Sequence, residues 1–331
     1  MTRALVAAES VRGRTAPNPW VGAVVVPASG DGPGYAGATA PPGGPHAEIG
    51  ALEAAGGRAE GATIYVTLEP CAHHGRTPPC TEAIIRSGVR RVVVAVEDPD
   101  PQVSGRGLAA LRAAGLDVEL GVEAEQAHEQ LAAYLKHRRT GRPWVVLKLA
   151  ATLDGGTAAP DGTSQWITGP AARLDGHRLR ARSDAVLVGA GTVRADDPAL
   201  TVRLPPDDPY FRSPDEQPLR VVLGEAPAGA AVQPALQLSG APDSVLDELG
   251  GRGVVQVLVE GGATVAHAFH AAGLVDRYIL YLAPALFGGD DARSLFAGSG
   301  APTIGQLWRG RVHSVTSLEG DLRVELSASE V

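Results

Sequence analysis

Residues 63–96 read TIYVTLEPCAHHGRTPPCTEAIIRSGVRRVVVAV, and the apolar period changes twice within them. The β-branched run ending at Leu68 reads as a buried strand, TEAIIRSG from Thr81 as a helix, and RRVVVAVE from Arg90 as a second strand. The alternation continues in both directions. VGAVVV from Val21 and HAEIGALEAA from His46 lie upstream; GLAALRAAG, LDVELG and a longer amphipathic helix from Glu123 to about Arg138 lie downstream. Such alternation indicates an α/β layer domain. The basic, turn-rich HRRTGRPW at 137–144 ends it.

A second α/β stretch follows: VVLKLAAT, a helical GPAARLDGHRLRARS, then DAVLVGA, LRVVLG, VVQVLVE and YILYLAPALF. HSVTSLEGDLRVELSA reads as an antiparallel hairpin turning around Glu319 to Asp321. LPPDDPYFRSPDEQP, dense in Pro and Asp, reads as a surface loop. At 331 residues the chain exceeds what one core usually organises, and the expected domains are 1–140 and 141–331.

Aromatic residues make up only 4%, so the cores must be built from Ala, Val and Leu. A net charge of -8 argues against a surface that neutralises a phosphate backbone, and no nucleic-acid partner is expected. The opening MTRALVAAESVRGRTAPNP has no apolar run of signal-peptide length. Nowhere do about 18 uncharged apolar residues follow one another. A cytoplasmic protein without a membrane partner is expected, with a small-molecule substrate and assembly as a homodimer or higher homo-oligomer.

The two cysteines, Cys71 and Cys80, are better suited in a reducing compartment to metal binding or catalysis than to a disulfide. They follow His46-Ala47-Glu48 by about one strand. Zinc deaminases need one imidazole and two thiolates around Zn²⁺, an open position for water, and a nearby carboxylate that moves protons. His46 after the Gly43-Gly44-Pro45 turn is the expected first residue of a helix, from which it can bind metal while Glu48 shuttles the proton. Two cysteines buried as small apolar residues are the plain alternative; the coincidence of all four residues weighs against it.

The general signature places two residues between its cysteines, whereas here there are eight, AHHGRTPP. TLEPCAHHGRTPPC, with PNPWVGAVVV before it and GGPHAE between, resembles the deaminase half of the bifunctional riboflavin-biosynthesis deaminase-reductases. That family deaminates 2,5-diamino-6-ribosylamino-4-pyrimidinone 5′-phosphate and then reduces the ribosyl group to ribityl with NADPH. The resemblance implies a cytidine-deaminase-like N-terminal domain with His46, Cys71 and Cys80 on zinc and Glu48 as proton shuttle. Asn18 and the loop from His73 to Arg76 would line the pyrimidine and phosphate pocket. Asn18 can both donate and accept at a pyrimidine edge, and Arg76 on a glycine turn could meet a phosphate. His73 and His74 either touch substrate or only support the loop.

In the second stretch Gly261-Gly262, between a strand and the helical ATVAHAFHAAG, has the layout of a phosphate-binding turn, although the full G-x-G-x-x-G is absent. KLAATLDG, SQWITGPAAR, LRARSDAVLVGAGTVRADDPALTVR, VEGGATVAHAF and AGLVDRYILYLAPALFGG resemble successive signatures of the reductase half, which implies a dihydrofolate-reductase-like fold. By that resemblance Ala150, Trp166, Thr192, Asp196, Gly262, Ala263, Thr264, Val265, Ala266, His267 and Ala268 contact NADPH. Ser164, Arg180, Leu200, Arg203 and Glu260 hold the ribosyl phosphate. Lys148, one of two lysines in the chain, either polarises the substrate or lines its strand. Asp196 either orients hydroxyls or caps a turn.

Two departures from the family stand out. The N-terminal helix is short, and after LRVV the usual acidic residue and further strand give way to Leu223-Gly224-Glu225 running into AAVQPALQLSGAPDS. Two other readings stay open: a paralogue acting on a related pyrimidine or purine in secondary metabolism, and a C-terminal domain that is a non-catalytic dimerisation or ligand-sensing module.

Overall fold

In the computed structural model, which describes residues 1–30, 32–73 and 78–329, the alanine and valine runs become tightly apposed helices and strands. The chain divides into two units, Met1–Arg142 and Pro143–Val331. The first contains α1 (Thr2–Glu9), β1 (Gly22–Val26), β2 (Tyr35–Ala38), α2 (Ala47–Ala55), β3 (Thr63–Leu68), α3 (Cys80–Arg86), β4 (Arg91–Val96), α4 (Arg106–Ala113), β5 (Asp117–Leu120) and α5 (Ala124–Thr140). The sheet order is β2-β1-β3-β4-β5. β1 runs antiparallel to both neighbours, and β3, β4 and β5 run parallel, as the helical crossovers α3 and α4 require.

Small residues let the helices sit close. A Cβ on Gly22 would come within 1.9 Å of the Ala4 carbonyl oxygen, and one on Gly37 within 2.3 Å of both the Ala47 carbonyl oxygen and the Ala51 nitrogen. α1 is therefore pressed onto β1, and α2 onto β2. Ala4, Ala8, Ala47, Ala51 and Ala55 fill that interface, which is how a core with few aromatic residues closes. The sequence reading lacked β2, whose Tyr-Ala-Gly-Ala carries no strand pattern. It also placed His46 inside the helix; His46 is instead the extended residue just before it, at φ -73 and ψ 163.

The second unit contains β6 (Trp144–Thr152), β7 (Gly156–Ala158), α6 (Pro170–Ala181), β8 (Ala185–Gly189), α7 (Ala190–Asp196), β9 (Leu219–Leu223), β10 (Leu236–Leu238) and α8 (Pro242–Gly251). β11 (Gln256–Val259), α9 (Ala263–Ala271), β12 (Arg277–Ala283), β13 (Arg293–Ser294), β14 (Gly310–Leu318) and β15 (Asp321–Ala328) complete it. The large sheet has the order β10-β9-β8-β11-β6-β12-β15-β14, parallel as far as β12 and antiparallel beyond. Along β6, Val145, Leu147 and Leu149 pack with α8 and α9, while Val146 packs with α6. Lys148, two residues on from Val146, therefore shares the α6 face.

Two expectations change here. LQL at 236–238 pairs parallel with β9, so the strand thought missing after LRVV is present but short. The segment 204–218 is a loop with buried anchors rather than a purely exposed one. Asp208 and Arg212 are buried; Arg178 Nε donates to Asp208 Oδ2 at 2.9 Å and Arg212 to the Ala181 carbonyl.

Gly37→Ala should destabilise the protein by about 1–3 kcal/mol through overpacking and lower the melting temperature. Gly57→Ala, where a Cβ meets nothing within 4 Å, serves as the control. Equal melting of the two variants would contradict the close α2–β2 approach.

Candidate active sites

In the first unit three chain segments converge. His46 precedes α2, Cys71 lies just beyond β3, and Cys80 opens α3. His46 Nδ1 lies 3.2 Å from Cys80 Sγ and 3.7 Å from Cys71 Sγ. A tetrahedral zinc with nitrogen at about 2.1 Å and sulfur at about 2.3 Å sets the two about 3.6 Å apart, so the donor set fits zinc in type and spacing. The Cys80 N–H donates to Cys71 Sγ at 3.3 Å. Hydrogen bonding from Cys80 and His46 holds the Cys71 thiol down at about 4, against the effect of burial, and the same pairing pushes Cys80 up. His46 is raised, chiefly by its bond to Cys71. On binding, a divalent cation would displace the protons that these groups still carry.

Glu48 stands in the first turn of α2, 4% exposed. Burial, with the Cys71 charge beside it, raises its carboxyl to about 7. His46, Cys71 and Glu48 line one cavity of about 340 Å³ together with Asn18 and His73. The His73 Nδ1 is buried without a partner among the described residues. His74 and Arg76 lie outside the described residues.

Sequence reasoning missed three carboxylates of this cavity. Glu69, in the TLEPC segment, is buried and accepts the backbone N–H groups of Asp98, Gly105, Gly107 and Leu108 at 2.8–3.3 Å. It ties the end of β3 to the start of α4. Asp98 accepts the Tyr134 hydroxyl at 3.0 Å, and burial raises its carboxyl. Asp100 lies 3.9 Å from the Arg138 guanidinium. The available signal was the acidic EDPDP at the carboxyl end of β4, where ligands of parallel sheets bind.

In the second unit two cavities, about 700 and 980 Å³, share Lys148, Ala150, Ser164, Thr192, Asp196 and Glu260 and so form one cleft. Arg180, Leu200, Arg203 and Trp166 line the first cavity; Gly262, Ala263, Thr264 and Val265 line the second. Ala266, His267 and Ala268 are not brought to the cleft. Ala266 is fully buried in the core, and the His267 ring packs against Gly298. Only the first turn of α9 faces the cleft. Trp166 is 69% exposed, with the Arg173 guanidinium 4.6 Å above its ring.

Both oxygens of Glu260 accept from one edge of Arg180, Nε at 2.6 Å and Nη2 at 3.0 Å, while Arg180 Nη1 donates to the Thr201 carbonyl at 3.0 Å. Burial would raise Glu260, but Arg180, with Lys148 and His177, holds it at about 2. His177, absent from the sequence reading, lines the cleft and is kept near 4 by burial and by Arg180 and Arg203. Burial lowers Lys148, whose Nζ lies 5.5 Å from the Tyr281 ring centroid. Leu200 adopts φ 54 with its side chain fully buried, a backbone cost of roughly 1–2 kcal/mol offset by that packing. Asp196 makes no side-chain bond among the described residues; the neighbouring Asp197 accepts the N–H of Ala231, 34 residues on, at 2.7 Å.

Cys80→Ala removes one ligand and should leave the purified protein with zinc well below one per chain. Full occupancy in that variant would mean the ligand set is wrong.

The family model for the cytidine and deoxycytidylate deaminase zinc-binding region matches residues 1–96, and that for the RibD C-terminal domain matches residues 143–323. Riboflavin biosynthesis protein RibD of Mycobacterium tuberculosis is 46% identical over 331 residues, covering 96% of this chain and 93% of its own. The Escherichia coli protein of the same name is 44% identical over 332 residues, covering 89% of each. Acinetobacter baumannii RibD superimposes with a TM-score of 0.91 at 38% identity, over 99% of this chain and 98% of its own. A Thermotoga maritima diaminohydroxyphosphoribosylaminopyrimidine deaminase/5-amino-6-(5-phosphoribosylamino)uracil reductase gives 0.87 at 34%, over 99% and 97%. The likeness runs through the zinc-type cluster of the first unit and the cleft of the second, and the chain belongs to the RibD family of bifunctional riboflavin-biosynthesis deaminase-reductases.

Proposed function

We propose that residues 1–140 deaminate 2,5-diamino-6-ribosylamino-4(3H)-pyrimidinone 5′-phosphate, and that residues 141–331 reduce its ribosyl group to ribityl with NADPH. The observation that carries the reading is the meeting of His46, Cys71 and Cys80 beside the buried Glu48 in one cavity. His46 Nδ1 and the two sulfurs would hold zinc, which supplies Lewis acidity enough to bring the pKa of a water to about 7. Glu48, buried beside these donors, takes the proton of the attacking water and returns it to the departing amine. Asn18 meets the pyrimidine edge through both functions of its amide. His73, with its Nδ1 unpaired among the described residues, faces the remainder of the substrate.

In the second unit the nicotinamide cofactor supplies hydride, and the residues around it orient the ribosyl carbon and manage protons. Lys148, whose pKa burial lowers, gives up a proton more readily than a solvated ammonium, while Glu260, held ionised, accepts ribosyl hydroxyls. Arg180 has three of its donors committed to Glu260 and Thr201. Arg203, whose side chain bonds only through Nη1 to Thr201 Oγ1 among the described residues, is the freer fork for the phosphate, in the cavity that Ser164 also lines. Thr192, Asp196 and residues 262–265 face the cofactor.

A homodimer or higher homo-oligomer is supported by the outer strand β14, whose backbone edge is unpaired among the described residues and whose Val312 and Val315 are 56% and 60% exposed. No helix of the described residues is long and apolar enough to cross a membrane, and thiolate ligands suit a reducing cytoplasm.

Product masses after incubation with the diaminopyrimidine phosphate, with and without NADPH, test the whole scheme. A deaminated product is expected in both, shifted by two hydrogens only when NADPH is present. Zinc bound without turnover of this substrate would favour a paralogous deaminase. Glu48→Gln should keep one zinc per chain and lose deamination by at least about 10²- to 10⁴-fold, with reduction of the deaminated intermediate unchanged. Asp196→Asn should do the reverse without lowering the melting temperature. Loss of both activities together in either variant would contradict separate sites.

A further inference from the structure

Along the carboxyl ends of the parallel strands the cleft crosses β6, β11, β8 and β9 in that order. Lys148 and Ala150 of β6 stand at one end, the turn Glu260 to Gly262 and the start of α9 come next, then Gly189 and α7, and Leu223 of β9 closes the wall. On the reading of this unit as a dinucleotide-dependent reductase, the nicotinamide lies beside β6 and the diphosphate at the start of α9. The adenosine half must then lie over β8 and β9.

At that end stands Arg194, on the last turn of α7. It is exposed, lines the cleft, and has no hydrogen bond or ion pair among the described residues. Helical Cβ atoms tilt toward the helix start, so the Arg194 side chain lies back over the preceding turn. There the third residue before it is Gly191, around whose Cβ position nothing lies within 4 Å. The guanidinium therefore has open space above the floor that the adenosine ribose would occupy. The neighbouring strand end offers no competing carboxylate: β9 runs into Gly224, and Glu225 is exposed and outside the cleft wall. A carboxylate at such a strand end accepts the ribose hydroxyls of NADH, whereas an arginine matches a 2′-phosphate.

We infer that Arg194 binds the 2′-phosphate of NADPH and sets the preference of the reductase for NADPH over NADH. The other arginine without a side-chain partner on this wall, Arg293, belongs elsewhere. It pairs with Ala158 of β7, and its Nη2 lies 3.9 Å from the Cβ position of Gly162 in the turn that follows, away from the β8–β9 end, so that any contact it makes is to parts common to both dinucleotides.

Equilibrium binding to the full chain separates the two arginines without reference to turnover. NADPH, NADH, 2′,5′-ADP and 5′-AMP would be titrated into the wild type, Arg194→Gln and Arg293→Gln. Loss of one charge-assisted contact should weaken NADPH and 2′,5′-ADP roughly 10- to 100-fold in Arg194→Gln, with NADH and 5′-AMP within about twofold of wild type. Arg293→Gln should weaken NADPH and NADH alike. If Arg194→Gln binds all four ligands as the wild type does, or loses NADH equally with NADPH, the inference is wrong while the reductase reading stands. If the wild type binds neither dinucleotide, the reductase reading falls and this inference with it.

Discussion

The hydrogen bond from the Cys80 backbone N–H to the Cys71 sulfur, 3.3 Å long, closes the loop between β3 and α3 on itself. A sulfur at a helix start is favoured as thiolate by the free amides and the helix dipole. The two sulfurs are thereby held together in the arrangement that a chelating pair needs. The imidazole comes from another direction. α2 reaches the sulfurs only because Gly37 lets it sit on β2 without an intervening side chain. The metal-type donors, the buried Glu48 and the cavity thus depend on one close helix–strand contact and one backbone-to-sulfur bond.

How much of this was legible in the sequence follows from the range of each interaction. His46, Glu48, Cys71 and Cys80 could be read because their chemistry is rare and their spacing follows the strand-helix alternation. Glu69 could not be assigned a role, since its partners lie 29 to 39 residues away on the loop before α4 and in its first turn. β2 and β10 were missed for a related reason. Each is a strand of three or four residues held by its neighbour's register rather than by its own pattern. In the loop at 204–218 the density of Pro and Asp signalled irregular backbone correctly, but composition cannot show that Asp208 and Arg212 are drawn inward by arginine and carbonyl partners on α6.

The second unit shows the same limit in its electrostatics. Arg180 and Glu260, 80 residues apart, look from sequence like two independent substrate contacts; folded, they form one buried bidentate pair. Removing one member of such a pair leaves the other as an uncompensated charge, typically at about 3–5 kcal/mol. This part of the cleft is therefore rigid, with Arg203 and Lys148 the more adaptable cations around it. The helix after Gly262 illustrates the converse: a seven-residue stretch read as one contact surface resolves into a first turn facing the cleft and an Ala266 facing the core, because a helix turns its side chains through every direction within 3.6 residues or so.

The central claim is that one imidazole nitrogen and two thiolates of this chain bind zinc and leave a position for water. X-ray absorption at the zinc edge of the purified full-length protein tests it most directly. The account predicts two sulfur scatterers at about 2.3 Å and two light scatterers, nitrogen and oxygen, at about 2.0–2.1 Å. A shell of four sulfurs, or one of nitrogen and oxygen alone, would contradict it.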